Sequence, residues 1–149
     1  MKLTKDMSIR LTFICLFIFA AVLFVADLTA FRWIRWYVEW RGMLRKQFAW
    51  LTAVFYAASV AGWICLWALR RLLCSIRAGK VFCEGNVNTL RCISLCCAAA
   101  AVVFIAGGFV YGPLFIPAVA AAFMTLIVRV VENVFRQANE MKSELDLTI

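Results

Sequence analysis

The stretch Leu11-Thr-Phe-Ile-Cys-Leu-Phe-Ile-Phe-Ala-Ala-Val-Leu-Phe-Val-Ala-Asp-Leu-Thr-Ala30 decides the fold. Asp27 is its only charged residue. A helix of this length rises about 30 Å, the thickness of a bilayer's hydrocarbon. Three further segments meet the same standard: 48–69, which stops at Arg70 and Arg71, then 92–111 and 113–128. Ser8 is read as the N-cap of the first helix, and helix 4 is expected to run on into water as far as Ser143. The first apolar run is long and is not followed by a small-residue cleavage site and a polar sequence. It therefore reads as a retained span rather than a leader.

Composition agrees. Hydrophobic residues make up 66% of the 149-residue chain and charged residues 16%. A soluble domain of this size could not hide that much apolar surface. The net charge is +8, but the basic residues flank apolar runs, so topology and anionic headgroups explain them before nucleic acid does. No basic groove, zinc spacing or helix-turn-helix pattern is present.

Counting Lys and Arg orients the chain. The N-terminus, the middle loop (70–91) and the tail (129–149) hold eleven, and the first loop (31–47) holds five. Both termini are therefore expected in the cytoplasm of a multi-pass protein of the cell inner membrane. Helices 3 and 4 are joined by little more than Gly112-Pro113 and should form a tight antiparallel hairpin. Pro113 and Pro117 fall where a missing N–H costs little. In the first loop Trp33, Arg35, Trp36 and Trp40 alternate as an interfacial collar, with Trp anchoring at the headgroups and Arg reaching phosphate. A lid over a lipid or ligand is the sharper alternative.

Inside the membrane, helices associate by close packing, which small residues permit. Ala53, Ala57 and Ala61 form a stripe on helix 2 beside Ala58 and Gly62. Ala98 to Ala101, Gly107-Gly108, Ala118 and Ala120 to Ala122 serve helices 3 and 4. Bundle packing is favoured over homo-oligomerisation. Thr12, Thr52, Ser59, Ser94 and Thr125 are expected to satisfy their hydroxyls on neighbouring carbonyls. Asp27 is the intramembrane polar candidate. Placed in the last turn of helix 1, near the interface, it is expected to pair with Arg32. On this reading no acid lies near the midplane.

The chain has no histidine, hence neither the usual general base nor the commonest metal ligand. No phosphate loop, carboxylate pair or nucleophile elbow appears. No enzyme activity, catalytic residue, cofactor or metal is expected. Cys15 and Cys65 read as small apolar residues. Cys92 and Cys96 share a helix face, and with Cys74 or Cys83 they would allow a thiolate site, but no Cys-x-x-Cys occurs.

The most informative polar stretch is Gly79-Lys-Val-Phe-Cys-Glu-Gly-Asn-Val-Asn-Thr-Leu-Arg91. With Cys83 as N-cap, Phe82 and Val87 have hydrophobic-staple spacing, Asn86 is N3, and Glu84 meets the positive end of the helix dipole. In the tail, Val131, Phe135, Ala138, Met141 and Leu145 recur at helical steps. Arg129, Glu132, Arg136 and Glu140 form a charged ladder on another face.

On these residues the chain resembles a bacterial family of small four-span membrane proteins, the domain-of-unknown-function 2975 family. The likeness lies in Gly79-x-x-Phe82-x-Glu84-x-Asn86-x-x-x-Leu90-Arg91 and in the ending Glu144-x-Asp146-Leu-Thr-Ile149. The chain departs from the family at Cys83, where Ser or Thr is usual, and at Gly85. Family members are often encoded beside a very small helix-turn-helix regulator. The resemblance therefore implies a membrane sensor or tether for such a protein.

The sequence thus reads as an all-α integral membrane four-helix bundle, one domain over 1–149, in contact with membrane lipids and with no direct nucleic-acid role. Its expected partner surface comprises Gly79, Phe82, Glu84, Asn86, Leu90, Arg91, Phe135, Met141, Leu145, Asp146 and Ile149. A small transporter or efflux subunit and a toxin-immunity protein are the alternatives.

Overall fold

The computed structural model describes residues 2–79 and 83–148. It contains four helices: α1 (Lys2–Arg41), α2 (Arg45–Arg77), α3 (Glu84–Gly108) and α4 (Phe115–Leu147), with a 3-10 turn at Gly112–Leu114 before α4. All four are long and apolar enough to cross a membrane. The architecture is the expected all-α four-helix bundle, and the described residues contain no strand.

The largest departure from the sequence reading is α1. It does not start at Ser8 or end at Ala30 but runs unbroken from Lys2 to Arg41. Most of the stretch read as loop 31–47 is therefore helix. The physical reason lies in the sequence: no Gly or Pro precedes Gly42, so nothing before it breaks a helix. At Gly42 the backbone turns left-handed, with φ +65°. The Gly42 N–H donates to the Glu39 carbonyl (3.3 Å) and the Met43 N–H to the Val38 carbonyl (3.1 Å), the two bonds of a Schellman stop. α2 then starts within three residues, and its Gln47 side chain accepts from the Leu44 N–H (3.1 Å).

α2 ends at Arg77, and the chain turns at Gly79, also left-handed at φ +76°. Cys83 is the N-cap of α3, as read from the sequence. Its thiol makes no capping bond, which fits a poor acceptor. The staple partner Phe82 lies outside the described residues. Pro113 occupies the 3-10 turn and Pro117 the first turn of α4. α4 continues four residues past Ser143.

Helix contacts run in chain order: α1 on α2, α2 on α3, α3 on α4, with no close backbone approach between α1 and either α3 or α4 among the described residues. α3 is thus flanked on both sides and holds most of the buried positions, among them Leu90, Ile93, Ala101, Gly107 and Gly108. Ala68 of α2 and Ala118 of α4 are each only 1% exposed. Small residues let backbones approach, as expected, but the predicted stripe on α2 is displaced. Ala53 and Ala57 are exposed, while Val54, Ser59 and Ala68 are buried. Gly107 sits at the tightest point: a Cβ there would lie 2.8 Å from Leu114 Cδ1 and 3.0 Å from Val54 Cγ2.

The hydroxyls follow the expectation in part. Thr52 and Thr125 donate to the carbonyls of Phe48 and Ala121, each at 2.8 Å. Ser59 instead reaches a side chain, described below. Ser94 is buried with no hydrogen-bond partner, because its hydroxyl is enclosed among packed helices rather than turned onto its own backbone.

Two substitutions test this packing through thermal unfolding in detergent. Gly107→Leu should destabilise by about 1–3 kcal/mol, the cost of overpacking a filled contact. Ser94→Ala should be neutral or slightly stabilising, since it removes an unmatched polar atom.

Candidate functional site

Asp27 is placed by α1 against α2, where three side chains meet it. Ser59 donates to Asp27 Oδ1 at 2.5 Å, and the Trp63 indole N–H donates to Oδ2 at 2.8 Å. The Tyr56 hydroxyl donates to the Asp27 backbone carbonyl at 3.3 Å. Tyr56, Ser59 and Trp63 are spaced three, then four residues apart, so one face of α2 presents all three donors. The expected ion pair with Arg32 is not formed. Among the described residues the one ion pair is Arg35–Glu39, at 3.0 Å on the surface of α1. The reason is angular: five helical steps put Arg32 well off the Asp27 face.

The length of α1 also changes the depth of Asp27. On α2, Ser59 stands nine residues from Trp50 and eleven from Arg70, or about 14 Å and about 17 Å along the axis. Trp50 lies level with Val110 and Tyr111, at the aromatic end of the bundle. Ala68 and Arg71 lie level with Thr89 and Cys92, at the opposite end. There Arg70, Arg71, Arg91 and Arg129 are all exposed, as a ring of cations just outside the hydrocarbon would be. Ser59 and Asp27 therefore sit midway between an aromatic belt and an arginine belt about 30 Å apart. Counted along α2 the acid is midway between the two belts; along α1 it stands five residues, about 8 Å, from the exposed Arg32.

The aromatic end is ordered by the last three turns of α1. Trp33, Trp36 and Trp40 line up on its outer face, with Trp33–Trp36 edge-on at 6.0 Å and Trp36–Trp40 stacked at 6.4 Å. All three are exposed. Ala30 and Val38 face inward and are buried. The collar is thus a helical ridge. On the inner side, the Tyr37 and Tyr111 hydroxyls are hydrogen-bonded, tying α1 to the turn between α3 and α4. The Arg41 guanidinium lies 5.8 Å from the Tyr37 ring centre.

At the arginine end the expected partner residues separate into two groups. Asn86 is 3% exposed and Leu90 6%, so both are part of the bundle rather than of a docking surface. Phe135 is half-buried. Gly79, Glu84, Arg91, Met141, Leu145 and Asp146 are exposed; Phe82 and Ile149 lie outside the described residues. Beyond Phe135 the apolar stripe of α4 has little cover, with Met141 59% and Leu145 66% exposed. The charged ladder forms no ion pairs, and Arg136 Nη2 instead donates to Asn133 Oδ1 at 3.2 Å.

Cys92 and Cys96 are in hydrogen-bonding contact, as one helix face requires, and Cys65 of α2 meets Cys97. Cys83 Sγ lies 3.9 Å from Ser75 Oγ. Among the described residues no three His, Cys, Asp or Glu side chains converge as metal ligands.

Four apolar helices framed by an aromatic and an arginine belt define a multi-pass α-helical membrane protein. Within that class, the model of the family described as "Protein of unknown function (DUF2975)" matches residues 7–149, and the chain belongs to that family. No curated protein and no solved structure matches it.

The Asp27 cluster is testable by a double-mutant cycle. Asp27→Ala and Ser59→Ala, singly and together, should give a coupling energy of about 1 kcal/mol in detergent unfolding, within the range for interhelical bonds in membranes. Asp27→Ala combined with Arg32→Gln should be additive.

Proposed function

We propose that this protein is a non-enzymatic membrane sensor or tether of the bacterial inner membrane that holds a small cytoplasmic transcriptional regulator against its arginine end. The observation that carries this reading is the extension of α4. It leaves the bundle with Met141 and Leu145 exposed on one face, and an amphipathic helix in water needs a partner for that face. The surplus of Lys and Arg at the same end supports a cytoplasmic orientation for it and for both termini. The ending around Asp146, shared with the family, lies on the same helix.

Co-purification from detergent with any small helix-turn-helix regulator encoded beside the gene tests the reading. Regulator should be retained by the wild-type protein and reduced at least about tenfold by Met141→Asp with Leu145→Asp, since two buried apolar anchors are worth more than that. Absence of binding, with regulator activity unchanged on deletion of the membrane protein, would reject it.

One observation favours a second reading. An acid within a spanning helix and without a paired cation marks ion or substrate paths, which supports a small transporter. Flux in proteoliposomes that disappears with Asp27→Asn would establish it; no flux of protons or cations in the wild type would exclude it.

A further inference from the structure

The gap between α1 and α3 holds a second candidate site, unconnected with the arginine end. α1 makes no close backbone approach to α3 among the described residues, and a cleft of ≈ 420 Å³ lies between them, well within the size range of ligand pockets. Its floor is Val54 and Phe55 of α2, and its walls include Ile34 and Tyr37 of α1, Phe104 of α3 and Leu114 of the turn. The lining is almost wholly apolar. Phe104 stands seven residues from Tyr111, so the cleft runs from the headgroup level to about 10 Å into the hydrocarbon.

The mouth has different chemistry. Tyr37, which lines the cleft, is hydrogen-bonded to Tyr111. Two phenols carry two protons, and their mutual bond uses one, so the other O–H is left to donate elsewhere. Arg41 lies over the Tyr37 ring, and Arg45 and Lys46 begin α2 four and five residues further on, all exposed. The one carboxylate nearby, Glu39, is held by Arg35 on the outer face at 3.0 Å. The mouth is therefore cationic and offers hydrogen-bond donors, above a slot for an aliphatic chain.

We propose that this cleft binds an anionic phospholipid, one acyl chain lying between α1 and α3 and the phosphate taken by Arg41 and the remaining phenol proton. A zwitterionic lipid has the same chain but presents a cation of its own to Arg41, Arg45 and Lys46. The site should therefore discriminate by headgroup charge, at about one basic residue's worth of attraction for each contact.

Native mass spectrometry of the full-length protein from detergent tests this, with phosphatidylglycerol and phosphatidylcholine of identical chains as probes. Phosphatidylglycerol should be retained about fivefold better than phosphatidylcholine, the effect of about one basic contact. Arg41→Gln should remove most of that preference. Ile34→Trp, which fills the cleft, should lower retention of both lipids. Equal retention of the two lipids by the wild type would overturn the proposal, and so would an unchanged preference in Arg41→Gln or unchanged retention in Ile34→Trp. Arg41 is exposed, so its variant does not depend on repacking. The wild-type comparison needs no variant.

Discussion

The contact on which the arrangement depends is the one Asp27 makes with Ser59 and Trp63. α1 touches the rest of the bundle almost only through α2, and most of its length faces outward. Apolar side chains gain little by leaving lipid for protein, so a helix bound along one seam needs directional contacts. Asp27 supplies two to its carboxyl and one to its backbone, all from one face of α2. Above it the Tyr37–Tyr111 bridge fixes the same helix at the headgroup level. A helix pinned at midplane and rim, but not between α1 and α3, accounts for the open cleft.

That seam explains why the membrane-embedded part is not uniform. α3, held on both sides, is where glycine and alanine permit close approach, and Gly107 marks the point at which α2, α3 and the turn meet. α1 carries large aromatic and aliphatic residues on its outer face because no protein surface opposes them. The arginine end shows a similar gradient. α3 buries Asn86 and Leu90 in its first two turns, whereas α4 loses its apolar cover after Phe135. Exposed apolar surface in the membrane is ordinary; the same surface past the arginine belt is what calls for a partner.

The four spans and the start of α3 were legible because hydropathy over twenty residues and the Cys83-Glu84 start signal are local properties. The length of α1 was legible too, from the absence of Gly or Pro before Gly42. The alternation of Trp and Arg, which suits an interface, concealed it. That one boundary carried a second error with it. With α1 ending at Ala30, Asp27 fell in the last turn beside Arg32; with α1 ending at Arg41, it falls within the helix and faces Ser59. The partners of Asp27 could not be read locally, since Ser59 and Trp63 lie more than thirty residues away. Their spacing from Tyr56, three and then four residues, was the available signal. The outward turn of Ala53 and Ala57 had no signal, because an alanine stripe suits lipid as well as protein.

An Asp27 level with the middle of α2 should lie near the middle of the membrane, and its depth can be measured directly. Single spin labels at Ile18 and Leu28, both exposed on α1, can be compared in bilayers by their relative accessibility to oxygen and to a polar relaxation agent. Leu28 should be the deeper site, within about 2 Å of the Asp27 level, with Ile18 about 14 Å off it. If Ile18 proves the deeper of the two, Asp27 belongs at the interface and the account fails.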